Sequence, residues 1–313
     1  MTILSELPMA EQILIKRKGI IMKYRFQKFN DSYYEDVREF LIDLSKEKRS
    51  HINWNWARWE WMYFHPDFDN SLSDKIGLWF CGDEVVGTAI YDHYLGEAFF
   101  AVKKGFEELK KEIIDYMIEN FSDENGLGIA VNDTDNETVD LILSCGFSAC
   151  DQAENVLELL LDDMDFDTNT ADNTQLHSID IKEDLYKHHK LLWKGFDHEG
   201  EPPTDEKTLE KQKRMMSAPH LNSQLHIVAE NEDSEYVAYC GLWYDKKTDY
   251  VYVEPVCSVP EYRNKGLAKA VLKEALKRAY DMGAKKAYVI SDIDFYKRIG
   301  FSQHSHYTFY WHK

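Results

Sequence analysis

The sequence predicts an α/β protein of two similar units, each a mixed, mostly antiparallel sheet with helices on its faces. Three observations carry that expectation. The same order of strand-like and helix-like segments runs twice along the chain, and an acidic, aperiodic stretch separates the two runs. One segment of the second run also has the single apolar stripe of a helix lying on a sheet.

The seam is Asp162–Thr174, DDMDFDTNTADNT, polar and without a clear period. It divides a first unit, 22–161, from a second, 175–313, with 162–174 as linker and 1–21 as an N-terminal extension. Met22, followed at once by the strand-like KYRFQKF, could be the natural start.

Each unit opens with a short alternating strand, near Lys23–Phe29 and near His177–Ile181, leading into the helical stretches Ser32–Lys48 and Lys182–Gly195. A hairpin follows: Ile76–Cys81, a Gly82-Asp83 turn and Glu84–Tyr91, matched by Gln224–Glu230, the turn Asn231–Ser234 and Tyr236–Tyr244. A third strand, Ala98–Val102 or Tyr250–Val259, runs into a long helix. The next strand, Gly128–Val131 or Lys286–Ile290, precedes a short helix ending in Gly-Phe, at Gly146-Phe147 and Gly300-Phe301. Val156–Leu161 and His306–Trp311 close the units. In the second long helix Ala268, Val271, Leu272, Ala275, Leu276 and Ala279 form the apolar stripe, Lys269, Lys273, Glu274, Lys277 and Arg278 the wet face, and Gly283 the stop.

Composition narrows the function classes. The 313 residues are 44% hydrophobic and 14% aromatic, enough for packed cores, and the formal charge is −19. Such an acidic surface repels nucleic-acid backbones and anionic lipid, and no stretch approaches the roughly 20 apolar residues that span a bilayer. Charged residues interrupt the first twenty positions, so no signal peptide is expected. The five cysteines lack CxxC spacing, and the twelve histidines show no HxH or HExxH pairing. A reduced, cytoplasmic protein with isolated thiols and no metal is the expectation.

The chemistry lies in Glu254–Ala268, EPVCSVPEYRNKGLA. Pro260 ends a strand, and RNKGLA opens the striped helix. Gly266 has no Cβ to obstruct a ligand near the backbone. First-turn N–H groups lack intrahelical partners and stand at the positive end of the helix dipole. That is an anion site suited to a pyrophosphate, with Arg263 and Lys265 adding charge at its mouth.

Arg263-Asn264-Lys265-Gly266-Leu267-Ala268 resembles the pyrophosphate loop of the GNAT superfamily of acetyltransferases, Arg/Gln-x-x-Gly-x-Gly/Ala after a strand. Pro260-Glu261-Tyr262 and the distal Phe295-Tyr296-Lys297-Arg298-Ile299-Gly300-Phe301 match the family at the expected separation. The resemblance covers 224–313 and is faint before that. It implies two GNAT-like units with acetyl-CoA as co-substrate and an amine acceptor, small molecule or peptide; the acidic charge favours a cationic one, such as a polyamine, an aminoglycoside or a cationic peptide. The backbones of Val256, Cys257 and Ser258 would then meet the pantetheine arm, and Arg263 to Ala268 the pyrophosphate. Tyr296 stands at the family's general-acid position; a phenol with an ordinary pKa of about 10 is protonated at neutral pH. The alternative is that it only packs against the cofactor. An Asn common in the family is replaced in the stretch Ser291-Asp292-Ile293-Asp294, where Ser291 or Asp294 would substitute.

Strand parity places Glu254 on one face with Val256 and Ser258, aimed at the thioester as a base, or else as a structural carboxylate. By the same parity Cys257 faces away, so a covalent acetyl-cysteine is not expected. Pro255 and Tyr252 would make the site partly dry. The family's acceptor-covering region corresponds to Trp193, Phe196 and His198, as substrate contacts or as packing. Trp54, Trp56, Trp59 and Trp61 are expected to pack, in a core or between domains, rather than to contact substrate. In the first unit the equivalent junction reads Phe100-Ala-Val-Lys-Lys-Gly-Phe-Glu-Glu108, and Ile142 stands where the tyrosine would be. That unit is expected to have lost both phosphate binding and acid catalysis. Two other functions fit less: a non-catalytic acyl-CoA-binding sensor or scaffold, and an acidic interaction protein resting on charge alone.

Overall fold

The computed structural model describes residues 12–17, 20–47, 52–168, 173–180 and 184–313. The chain forms two compact units, neither contiguous in sequence. The first takes the described residues up to Trp56, Asp69–Gln152 and Thr308–Lys313; the second takes Ala57–Phe68 and Ala153–Tyr307.

The first unit begins with an antiparallel pair, β1 (Gln12–Arg17) and β2 (Ile20–Lys28). β1 falls inside the segment expected as an extension, and residues 1–11 lie outside the described residues. Helix α1 (Tyr34–Glu47) follows, then α2 (Trp56–Phe64), which belongs to the second unit from Ala57 on. Next come β3 (Gly77–Cys81), β4 (Glu84–Tyr91), β5 (Glu97–Val102), α3 (Leu109–Phe121), β6 (Leu127–Asn132) and α4 (Asn136–Ser144). The sheet order is β1-β2-β3-β4-β5-β6, antiparallel except for β5 and β6, which run parallel.

The second unit holds the latter part of β7 (Ser148–Leu160), β8 (Thr174–Ser178), α5 (Leu185–Gly195), α6 (Glu206–Met215), β9 (His226–Asn231), β10 (Tyr236–Tyr244) and β11 (Tyr250–Ser258). It continues through α7 (Leu267–Asp281), β12 (Lys286–Ile290), α8 (Asp294–Ile299) and the first part of β13 (Ser302–His312). Its sheet order is β7-β12-β11-β10-β9-β8, with β11 and β12 the parallel pair. Each unit is therefore a mixed, mostly antiparallel sheet with helices, as expected from the repeated element order.

Helix α7 seats Val271, Leu272, Ala275, Leu276 and Ala279 in the core of the second unit. Burying each Val or Leu here is worth about 1.5–3 kcal/mol, which holds the helix on the sheet. The stripe starts with Leu267 and Ala270; Ala268 is half-buried instead. Lys273, expected on the wet face, is buried because its ammonium reaches Asp165 Oδ2 at 3.1 Å and the Asp167 carbonyl at 2.9 Å. Phe166 packs near Tyr280, ring centroids 5.4 Å apart. The start of the acidic seam is thus anchored on α7, and residues 169–172 lie outside the described residues.

Candidate active site

Strand β11 organises the site. It pairs with β12 only from Tyr250↔Lys286 to Tyr252↔Tyr288. Pro255 has no N–H to offer a ladder, and beyond Tyr252 the edge of β11 facing β12 has no pairing. Val256, Cys257 and Ser258 line a cleft of about 610 Å³ at that gap.

The loop after β11 forms the cleft's other end. Gly266 caps α7 at φ +83°, the left-handed region that favours glycine, and its Cβ position opens onto empty space. No side chain caps the helix, and its first intrahelical bond runs from the Ala270 N–H to the Gly266 carbonyl at 3.0 Å. The N–H groups before Ala270 keep their donor capacity, beside the positive end of a 15-residue helix. Arg263, Asn264, Gly266, Leu267 and Ala268 all line the cleft. Lys265 does not; its ammonium lies 4.4 Å from the centre of the Tyr262 ring. The guanidinium of Arg263 is already engaged, donating to Asp197 Oδ2 at 2.9 Å and to the Gly195 carbonyl at 3.0 Å.

Tyr296, on α8, lines the same cleft and is 7% exposed. Its ring sits between Phe295 and Phe301, with centroids 5.0 and 5.5 Å away. Burial, reinforced by the negative charge of Glu254, holds its phenol well above the ordinary range, so it stays protonated. Ser291 is not brought to the cleft: its hydroxyl accepts from the Ile293 N–H at 3.3 Å, and its own N–H donates to Asn155.

Uniform strand parity fails at Glu254. Leu242 pairs with Val253, but Cys240 pairs with Val256, so β11 carries one extra residue where β10 has Gly241. A bulge of this kind reverses the alternation beyond it. Cys257 is the partner of Tyr239, whose ring contacts His188 of α5 at 4.6 Å. Glu254 and Cys257 therefore face the α5 side, while Val256 and Ser258 pair with Cys240 and Ala238 on the other. The expectation that Glu254 shares a face with Val256 and Ser258 is overturned, as is the one that Cys257 faces away. The thiol of Cys257 is nevertheless no ready nucleophile. It is packed so tightly that a Cβ on Gly195 would come within 2.7 Å of its sulfur, and burial pushes its pKa up to about 12.

On the α5 side Glu254 and Pro255 line a second cavity, of about 630 Å³. Trp193, Phe196 and His198 line it too. Trp193 and His198 stack with centroids 4.6 Å apart at 27°, and Phe196 is exposed. Sequence reasoning missed His188, His226 and Trp243 here. One signal was present: His188 stands three residues before buried Leu191, on the apolar face of α5. The tryptophan run also divides. Trp54, Trp56 and Trp59 are buried as expected, whereas Trp61 lines the cavity.

The first unit repeats the short parallel pairing. β5 and β6 pair only at Glu97↔Gly128 and Ala98↔Ile129. Just before α3 the Gly105 N–H donates to the carboxylate of Glu107 at 2.8 Å. Lys103 is paired with Glu84, and Ile142 is wholly buried.

A parallel pair that ends early, an uncapped helix start at its mouth and a buried phenol beside the gap thus meet in one cleft. Residues 183–301, within the second unit, match the family model described as Acetyltransferase (GNAT) family. No curated protein matches the chain in sequence. The fold is similar to that of a tandem GNAT protein from the clavulanic acid biosynthesis pathway, with a TM-score of 0.63 at 12% identity over 92% of this chain and 97% of that one. It is similar also to a GCN5-related N-acetyltransferase from Sphaerobacter thermophilus, TM-score 0.58 at 11% identity over 92% and 94%. A GNAT-family acetyltransferase from Colwellia psychrerythraea gives 0.56 at 14% identity over 92% and 98%. Among the described residues no helix is long and apolar enough to cross a membrane. No group of three or more His, Cys, Asp or Glu among them is placed to hold a metal.

Proposed function

We propose that the second unit is an acetyl-CoA-dependent N-acetyltransferase that moves the acetyl group to a primary amine by direct attack in a ternary complex. The observation that carries this reading is the meeting of two cavities on β11. Val256 to Ser258 line the cleft that suits the cofactor, and Glu254 and Pro255, the two residues just before them, line the other cavity.

In this reading acetyl-CoA supplies an activated acetyl group as a thioester. The unpaired edge of Val256, Cys257 and Ser258 receives the pantetheine arm, and the loop Arg263–Ala268 cradles the pyrophosphate. Glu254, directly or through water, takes the proton of the acceptor's ammonium, exposing the nitrogen lone pair. The new C–N bond forms as the C–S bond breaks, and Tyr296 gives its proton to the departing thiolate. The nitrogen loses its second proton as the amide forms, that proton returns through solvent to the Tyr296 phenolate, and Glu254 releases its own to solvent, leaving the amide, free CoA and one proton. The raised pKa of the Cys257 thiol favours this single displacement over an acetyl-cysteine intermediate.

Calorimetric titration of acetyl-CoA, paired with amine-dependent release of CoA, tests the proposal. One site per chain and amine-dependent release are expected. Binding without transfer to any amine would make the protein an acyl-CoA sensor, and no binding at all would overturn the assignment of the cleft.

A further inference from the structure

The cavity on the α5 side of β11 has a composition that discriminates among amines. Its walls include the indoles of Trp61, Trp193 and Trp243 with the rings of Phe196 and His198. The Trp193 ring is set in place, donating through Nε1 to the Gly200 carbonyl at 3.1 Å and stacking on His198. A preset flat surface of this kind suits a flat apolar body, because little side-chain freedom is lost on binding. Charge is sparse: Asp67 and Glu254 are the acids of the lining, and Lys211 is a base. Glu254 offers one ammonium a carboxylate beside β11 and Asp67 is the one other acid of the lining, so the three ammoniums of a triamine outnumber the carboxylates and meet the charge of Lys211 as well.

His188 and His226 also line this cavity, and both are almost fully buried. Burial drives each imidazole to a pKa of about 3, so both are neutral at physiological pH. Nδ1 of His226 is bonded to the Tyr239 hydroxyl at 2.5 Å. The Nε2 atoms of both rings are buried with no hydrogen-bond partner. A buried polar atom left unpaired carries a desolvation cost that a ligand group can relieve.

We infer that this cavity takes a monoamine carried on an aromatic body that also bears a hydroxyl or similar hydrogen-bonding group, read by Nε2 of His226 or His188. The reactive end of this assignment rests on the proposed transfer to an amine; the recognition of the aromatic body does not.

Three probes separate the possibilities: tyramine, 2-phenylethylamine and spermidine. Each is titrated into the full chain by calorimetry and by tryptophan fluorescence, and each is assayed for CoA release with acetyl-CoA. Tyramine should bind about tenfold more tightly than 2-phenylethylamine, the size of one good hydrogen bond to a buried group, and both more tightly than spermidine. His226→Phe keeps a ring and removes the nitrogens, so the tyramine preference should collapse; His188→Phe is the second variant if the first does not fold. Trp193→Ala should weaken both arylamines by roughly tenfold or more through loss of the stacking surface. Spermidine binding or reacting best overturns the inference while leaving amine transfer intact. Arylamines that bind while no amine releases CoA would support the inference and overturn the transfer reading.

Discussion

The guanidinium of Arg263 lies 2.9 Å from the carboxylate of Asp197 and 3.0 Å from the carbonyl of Gly195. It thereby ties the loop at the start of α7 to the turn after α5, where the flanking Phe196 and His198 line the second cavity. A residue suited to phosphate is thus held by an internal acid. Both partners are substantially exposed, so the pair is worth about 0–1 kcal/mol. Asp197→Ala frees the guanidinium and should tighten acetyl-CoA by about two- to fivefold at low salt, with the gain shrinking as salt rises. Calorimetry at two ionic strengths reads it; equal affinities in the variant and parent would show that Arg263 does not serve the cofactor.

Gly266 separates backbone strain from charge. Gly266→Ala forces a Cβ into a left-handed position at a cost of about 1 kcal/mol but meets open space. It should lower the melting temperature while retaining acetyl-CoA binding. Gly266→Glu adds a carboxylate at the helix start and should abolish that binding. Retained affinity in the glutamate variant would move the cofactor elsewhere.

Tyr296→Phe removes one hydroxyl from a packed ring. The turnover number should fall by about 10²-fold, the lower end for loss of a general acid, with the acetyl-CoA Kd nearly unchanged. Because the phenol is held above its ordinary range, its ionisation should produce no alkaline loss of turnover below pH about 10. An unaltered rate at saturating substrate would reduce Tyr296 to a packing role.

Glu254→Gln keeps the shape of the side chain and removes its basicity. A drop in kcat/KM of about 10²-fold is expected, with recovery at alkaline pH as the acceptor loses its proton without help. A parallel loss of melting temperature with no loss of rate would make Glu254 structural.

His188 and His226 make stability depend on pH. Their folded pKa of about 3 lies below the ordinary 6.5, so the unfolded chain binds more protons on acidification. The stability they permit is complete above pH 6.5 and falls as pH drops toward 3. With both rings in play the slope approaches two protons, about 2.7 kcal/mol per pH unit. Urea midpoints at pH 7, 6 and 5 read this directly. His226→Phe should flatten the dependence, and an equally steep loss in that variant would assign it to other groups.

How much of this was legible in the chain depended on range. The strands Glu84–Tyr91, Tyr236–Tyr244 and Lys286–Ile290 stand where alternation and turns placed them, because those signals are local. The RNKGLA loop and the tyrosine of α8 could also be read, since each needs only the order strand, turn, helix. Parity along β11 was misread because the extra residue at Glu254-Pro255 is defined only against β10. Lys273 was assigned to water because its partners, Asp165 and Asp167, are more than a hundred residues away. His226 carried no local signal at all; only the pairing of β9 with β10 brings it beside Tyr239.

By itself the sequence determined the repeated element order, the uncapped glycine start of α7, and the types of group available at Arg263, Tyr296 and Glu254. These follow from dihedral preference, periodicity and side-chain chemistry, which a short window contains. The tertiary structure decided which side of β11 each of those groups faces, that Arg263 is held by Asp197, and that Trp61 and two neutral histidines complete the second cavity. The direction of a strand residue is set by its register with a neighbour, and a cavity wall by whichever distant segments pack there. Neither quantity exists until the chain has closed on itself.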